Sequence, residues 1–279
     1  MNIAANKKET LEILISTMNR KSLSFLEAMF PHDHHSNFQL LVINQTQKGE
    51  PLLSDQDHIR VINSFETGLP HSRNLAIQNA KGDYCLIADD DVCYKEGFAS
   101  HILEAFRKYE DADLITFQMV DETGKLFKDY PEVIRHDKRS ITKANSVVIA
   151  FKPASLKKNH VHFNTNFGLG AIFPTANEYV FMRNALKANL KLYFEPKVIL
   201  SHPFESSGKN FGSDKMVFSR AALFYKYSGI LGYLRLCKYL YLVYKRDLIT
   251  IKELWPKFKQ GHKGIKTYKK LIAQGLEKR

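Results

Sequence analysis

The sequence predicts an α/β protein, a mostly parallel central sheet flanked by helices, with a basic helical appendage at its C-terminal end. Three observations carry that prediction. Short apolar runs alternate with amphipathic stretches over residues 11–119, as they do where each parallel strand is joined to the next by a helix. The runs are apolar at consecutive positions, which suits strands covered on both faces. Charge, finally, is uneven. The chain of 279 residues carries 41 Lys+Arg and 29 Asp+Glu. Residues 205–279 hold 17 of the former and 5 of the latter, leaving 24 of each in residues 1–204. The whole net charge of +12 therefore belongs to the last quarter, and the shift places a boundary near residue 205.

The elements follow in order. "LEILIST" (11–17) reads as a strand, and "SLSFLEAMF" (22–30) as a helix stopped by Pro31. "FQLLVINQT" (38–46) and "IRVINS" (59–64) are two further strands, rich in β-branched residues. "SRNLAIQNA" (72–80) has helical spacing, with Gly82 just past its end. "YCLIA" (84–88) is a fourth strand, "GFASHILEAFRKY" (97–109) an amphipathic helix and "DLITFQM" (113–119) a strand. Beyond 120 the pattern is mixed. "DETGK" (121–125) is a hairpin turn, "SVVIAF" (146–151) a strand and "NEYVFMRNALKAN" (177–189) a helix. "LKLYFEPKVILSHP" (190–203) gives two short extended runs around Pro196. A charged fraction of 25 % and a hydrophobic fraction of 44 % suit a globular chain with a sizeable core.

The chemistry is carried by "IADDDV" (87–92), where Asp89, Asp90 and Asp91 follow a strand directly. In open parallel sheets, ligands sit beyond the carboxyl ends of strands. Adjacent carboxylates repel, and a divalent cation there would neutralise them. Hard oxygen ligands suit Mg2+ or Mn2+, which bridge carboxylates and a substrate's phosphates. The other reading of the run is a solvated acidic turn that caps the next helix.

The segment "ETGLPHSRNLAIQNAKGDYCLIADDDV" (66–92) resembles the central signature of family 2 glycosyltransferases with the GT-A fold. The resemblance is an ordered set: Gly68, Arg73-Asn74, Ala80, Gly82-Asp83, then Asp89 to Asp91. It covers about the first 205 residues and implies a GT-A catalytic domain over 1–204. The nucleotide-sugar half would be about 1–120 and the acceptor half about 121–204. "ISTMNR" (15–20) sits where that family's first strand ends against the nucleotide, making Thr17, Asn19 and Arg20 candidates. Asn44, in "LVINQTQ", stands where acidic residues usually hold base or ribose. Arg73, in the first turn of a helix starting near Ser72, is expected to face a diphosphate. By the same resemblance Asp89 and Asp90 lie against ribose and diphosphate. Asp91 is the expected metal ligand, with Asp89 and His202 beside it. The clustered His32, His34 and His35 read as solvated.

Inverting sugar transfer needs a base for the acceptor hydroxyl and charge stabilisation on the leaving diphosphate. The family places an acidic pair at the start of a late helix. Here that pair is Asn177-Glu178, and Glu178 is the only Asp or Glu between Asp137 and Glu195, so Glu178 is the expected base. The plain alternative is a carboxylate that caps its helix. "FNTNFGLGAIFPTA" (163–176), with Gly168 and Gly170 among aromatics, reads as a flexible acceptor-side loop, and "FESSGKNFG" (204–212) as a loop closing on the diphosphate.

The resemblance implies a metal-dependent inverting glycosyltransferase that takes a nucleotide-diphosphate sugar, UDP-sugars favoured. Its acceptor would be a glycan or polyprenyl-linked oligosaccharide in capsule or lipopolysaccharide synthesis. A sugar nucleotidyltransferase is the alternative enzyme, but "LEILISTMNRKS" lacks a glycine-rich triphosphate loop. A non-catalytic scaffold is kept open by Asn177. Charge neutrality of 1–204 argues against nucleic acid. Residues 227–244 mix aromatics and leucines with Arg235 and Lys238, which suits a helix lying on an anionic membrane surface. The other uses of that tail are packing on the catalytic domain or self-association as a homodimer. Cys85, Cys93 and Cys237 show no disulfide or metal spacing. The N-terminus lacks a signal-peptide pattern, and no run nears the about 20 apolar residues of a membrane span. The expectation is a cytoplasmic protein, peripheral at the inner face of the cell membrane.

Overall fold

A computed structural model describes residues 9–203 and 211–278. The chain divides into two compact units, Met1–Asn164 with Asn177–Phe204, and Thr165–Ala176 with Glu205–Arg279.

The first unit runs β1 (Leu11–Met18), α1 (Phe25–Met29), β2 (Gln39–Gln45), β3 (Ile59–Ser64), α2 (Leu69–Asn79), β4 (Tyr84–Asp89), β5 (Cys93–Tyr94), α3 (Phe98–Lys108), β6 (Leu114–Val120), β7 (Ile149–Phe151), α4 (Pro153–Lys158), α5 (Asn177–Lys187) and β8 (Leu192–Ser201). The strands form one sheet in the order β3-β2-β1-β4-β7-β6-β8-β5. β3, β2, β1 and β4 are mutually parallel, as are β6 and β8. β7 lies antiparallel between β4 and β6, and β5 antiparallel to β8. The sheet is therefore mixed, with its parallel half contributed by the N-terminal strands.

Both faces are covered, which is why the central strands carry apolar residues at consecutive positions. On one face Phe25, Leu26 and Met29 of α1 and Phe98, Ile102 and Phe106 of α3 pack on Ile13, Ile15, Leu86 and Ala88. On the other, Ala76 and Ile77 of α2, Leu156 of α4 and Phe181 and Ala185 of α5 pack on Leu14, Leu41, Cys85 and Ile87. The buried positions of α3 recur at four- and three-residue steps, the stripe of a surface helix. Each large side chain so buried contributes about 1.5–3 kcal/mol before entropy is subtracted.

Three elements differ from the sequence expectation. α2 begins at Leu69, not Ser72, because Pro70 is tolerated in a first turn and Gly68, at φ 111°, takes a conformation that side-chain-bearing residues avoid. Residues 192–201 form one strand through Pro196. That proline is exposed where the β6–β8 register slips between Thr116 and Gln118, so no ladder bond is asked of it. His35 is not simply solvated: its Nδ1 lies 3.1 Å from His58 Nε2, and partial burial with its histidine neighbours lowers its pKa.

The second unit contains α6 (Asp214–Ser228), α7 (Gly232–Lys245) and α8 (Leu254–Ala273). The helix expected over 227–244 is interrupted at Gly229–Leu231, a single 3-10 turn. α8 lies so close to its neighbours that a Cβ on Gly264 would sit 2.1 Å from the Phe218 carbonyl oxygen, and one on Gly261 2.6 Å from Leu236. Segment 165–176 belongs to this unit. Phe167 and Phe173 are fully buried, stacked at 4.8 Å, and both meet Tyr268 of α8. The aromatics expected to meet sugar rings thus form helical core. A buried ion pair, Lys226 Nζ to Glu277 Oε1 at 2.8 Å, ties the C-terminal end to α6. Residues 204–210 of the expected closing loop lie outside the described residues. Among the described residues no helix is long and apolar enough to cross a membrane.

Candidate active site

Parallel register brings the candidate residues to one edge. Ser16 pairs with Asp89, and Thr17 with Asn44, so the ends of β1, β2 and β4 finish together. β4 ends at Asp89, and Asp90 and Asp91 form the turn that leads into β5. The three carboxylates point to three different sets of partners, which is how the run is accommodated.

Asp89 accepts from Arg73 Nη2 through both oxygens, at 2.9 and 3.1 Å. The same guanidinium donates to Asn177 Oδ1 at 2.9 Å and Ser146 Oγ at 3.1 Å, and lies over the Phe163 ring. Its side chain is only 2 % exposed. Arg73 therefore does not present itself to a ligand. One turn further into α2 than expected, it is a buried tie from the end of β4 to the start of α5. Asn74 continues the tie, exchanging two hydrogen bonds with the backbone of Phe163, at 2.7 and 2.9 Å.

Asp90 accepts from Thr17 Oγ1 at 2.5 Å and Arg20 Nε at 2.6 Å. Charge-assisted bonds of this kind draw the loop after β1 across the end of β4. Asn19 accommodates that turn at φ 54°, a left-handed value asparagine tolerates, and its N–H donates to Gln45 O. Asn44 is fully buried. Its amide accepts from Arg20 N at 3.1 Å and donates to Arg20 O at 3.2 Å and Asn63 Oδ1 at 3.1 Å. It positions Arg20 from inside the fold. Asn63 in turn holds both backbone groups of Leu52.

Asp91 faces outward, its side chain 54 % exposed, with His202 Nε2 3.4 Å from Oδ1. The β5–β8 pairing, Cys93 opposite Ser201, makes this meeting. The histidine beside it lowers the Asp91 pKa, and the carboxylate raises that of His202; partial burial opposes both effects. His202 is fixed by the Pro203 carbonyl and by the edge of Phe127. Asp91 and His202 fit a hard divalent cation: an exposed carboxylate and one imidazole, with room for phosphate oxygens and water. Among the described residues no group of three or more His, Cys, Asp or Glu could itself hold a metal. With both Asp89 oxygens engaged by Arg73, the protein's donors reduce from the expected set to Asp91 and His202.

Glu178 lies in the first turn of α5, half-buried, next to Asn177. Among the described residues no hydrogen bond or ion pair engages its carboxylate. The link Asp89–Arg73–Asn177 brings this helix start to the aspartate turn. Asn177 thus has its own task, accepting from Arg73, and the missing acid in the pair is replaced by an amide oxygen. Sequence reasoning did not find Asn177, Ser146 or Asn63 in these roles. A signal existed for Asn63: "VIN" occurs in both "LVINQT" and "RVINS", and the register aligns them, Asn44 opposite Asn63. Ser146 has no such signal.

The family model described as Glycosyl transferase family 2 matches residues 5–170, more than half of the chain. The chain belongs to glycosyl transferase family 2. Within that family it is similar to an uncharacterized glycosyltransferase of Haemophilus influenzae, 27 % identical over 111 residues, which spans 38 % of this chain and 37 % of that relative. Among solved structures, S. aureus TarS 1–349 in complex with UDP-GlcNAc matches at a TM-score of 0.55 and 12 % identity, covering 97 % of this chain and 93 % of that one. The mannosyltransferase PcManGT of Pyrobaculum calidifontis, in complex with GDP-Man and Mn2+, matches at 0.52 and 11 %, covering 95 % and 86 %. The fold is that of GT-A glycosyltransferases: a mixed α/β unit with a curled central sheet flanked by helices, and C-terminal helices.

Proposed function

We propose that this family 2 protein transfers a sugar, with inversion, from a nucleotide-diphosphate sugar to a hydroxyl of a growing surface glycan such as capsule or lipopolysaccharide. The single observation that carries the reading is the link from Asp89 through Arg73 to Asn177, which brings the start of α5, with Glu178, to the sheet edge where Asp91 faces outward. The acceptor oxygen attacks the anomeric carbon as the bond to the diphosphate breaks, and its proton passes to Glu178. Thr17 and Arg20 hold Asp90 toward the nucleotide side, with Asn19 at the tip of the same loop. A divalent cation, Mn2+ or Mg2+, at Asp91 and His202 would supply charge neutralisation for the departing diphosphate. The TarS structures with UDP and UDP-GlcNAc support a UDP-sugar as donor, and the PcManGT structure with Mn2+ supports the metal.

A groove of about 1450 Å³ supports an extended acceptor. Its lining includes Phe127, whose ring edge meets His202, and the exposed Leu126, Val133 and Ile134. That is more room than the about 300–1,000 Å³ of a small-molecule site, and it suits several sugar units of a glycan or a lipid-linked oligosaccharide. We place the work at the cytoplasmic side, consistent with three free cysteines.

The test is thermal stabilisation by UDP, GDP and CMP with and without Mn2+, followed by donor hydrolysis with a panel of nucleotide sugars. UDP with Mn2+ is expected to stabilise the protein. Asp91→Asn should abolish the metal-dependent part. Glu178→Gln should keep nucleotide binding while transfer drops by about 10²–10⁴-fold. Stabilisation by no nucleotide would overturn the reading; loss of binding in Glu178→Gln would remove Glu178 as base.

A further inference from the structure

We infer that the outer face of α7 docks on an anionic lipid surface, independently of the donor chemistry. Within the helical unit, Leu236, Leu240 and Val243 turn inward to pack with Val217, Ala221 and Ile265. The opposite arc carries Leu231, Leu234, Tyr241 and Leu242, at successive steps of three, seven and one residues, all exposed, Leu234 by 67 %. Lys238 and Lys245 lie within this arc, and Arg235 and Arg246 edge it. Ile230, in the turn before the helix, is 74 % exposed. A soluble surface helix would fill that arc with polar residues. An apolar face interleaved with long basic side chains is what an interfacial helix needs, since the chains bury their stems and keep their ammonium groups at the phosphates.

The charge selects the occupant. Residues 205–279 hold 17 Lys+Arg against 5 Asp+Glu, so a second copy laid on this face would bring like charges together. Anionic headgroups complement it, and each basic residue near such a surface adds to the attraction. The aromatic residues agree. Lys245 lies over the Tyr241 ring and Lys259 over Trp255, the one tryptophan of the chain, which is 63 % exposed. Tyrosine and tryptophan with one polar end and one apolar face belong at the boundary of water and hydrocarbon.

The experiment uses the full chain with vesicles of phosphatidylcholine alone and of phosphatidylcholine with phosphatidylglycerol, read by flotation and by Trp255 emission. Binding to the anionic vesicles is expected, with a blue shift of that emission. It should weaken by about tenfold or more in Lys238→Glu/Lys245→Glu and in Leu231→Ser/Leu234→Ser. All four side chains are exposed, so the variants should keep the wild-type circular dichroism and Tm. Equal binding to both vesicle types, no binding, or variants that bind as wild type would overturn the inference. So would a wild-type dimer in lipid-free solution that the leucine variant dissociates, because a second copy would then cover the face.

Discussion

Arg73 concentrates the physics of the site in one side chain. Its buried guanidinium donates through Nη1 and Nη2 to Asp89, Asn177 and Ser146, so its removal leaves a carboxylate that is only 26 % exposed without its cation. Arg73→Met should cost about 3 kcal/mol in chemical denaturation. It should also lower kcat at least about tenfold, because the start of α5 loses its anchor. Arg73→Lys should recover only part of either, since an ammonium cannot span three partners as a planar fork does. His202 provides a second residue-level prediction. Its pKa is raised above the usual 6.5 by Asp91, whose own is lowered below 3.8. The charged histidine stabilises the fold fully below pH 6.5, and that contribution is lost as pH rises through its raised value. The carboxylate's contribution is full above pH 3.8 and is lost as pH falls through its lowered value. The pair therefore contributes most between those limits. NMR titration in the metal-free protein should place the His202 midpoint above 6.5, and Asp91→Asn should bring it back toward 6.5. An unchanged midpoint in the variant would show that Asp91 is not the cause.

At the scale of elements, the placing of strands and helices was legible because burial on both faces writes a continuous apolar run, as in Ile13 to Ile15 and Cys85 to Ala88. Element ends were less so. Gly68 at positive φ and Pro70 in the first turn start the helix earlier than Ser72, and those two facts move Arg73 from the exposed start of a helix to its buried second turn. Pro196 argued locally for a break, and the slip in pairing with β6 removed the need for one. Glycines in α8 are a tertiary matter too, since a glycine inside a helix is locally unfavourable by about 1 kcal/mol relative to alanine. Gly264→Ala should nevertheless destabilise, by about 1–3 kcal/mol, because its Cβ would meet the Phe218 backbone, which cannot rotate away. Urea unfolding that showed a gain in stability would contradict the close approach of α6 and α8.

For the whole molecule, composition placed a boundary near residue 205, while packing draws Thr165–Ala176 into the helical unit. A chain cut after residue 204 would lose the partners of Phe167 and Phe173, which lie against Phe218 and Tyr268. We expect that fragment to aggregate or to bind a hydrophobic dye, and the full chain to do neither. A monomeric fragment with wild-type nucleotide binding would show that the segment folds without the helices.

By itself the sequence determined the α/β class, the strand that ends in Asp89 to Asp91, the basic character of the last quarter and the single acidic candidate Glu178. Each is written in neighbouring residues, through apolar continuity, charge count or a contiguous motif. The tertiary structure alone decided which of the polar residues are inward ties and which face outward. Arg73 and Asn44 became ties, and Asp91 and His202 met across 111 residues of chain. The reason is that burial and pairing depend on register and on crossing elements, such as β5 on β8 and α5 on β4, and that geometry has no counterpart in a local stretch of sequence.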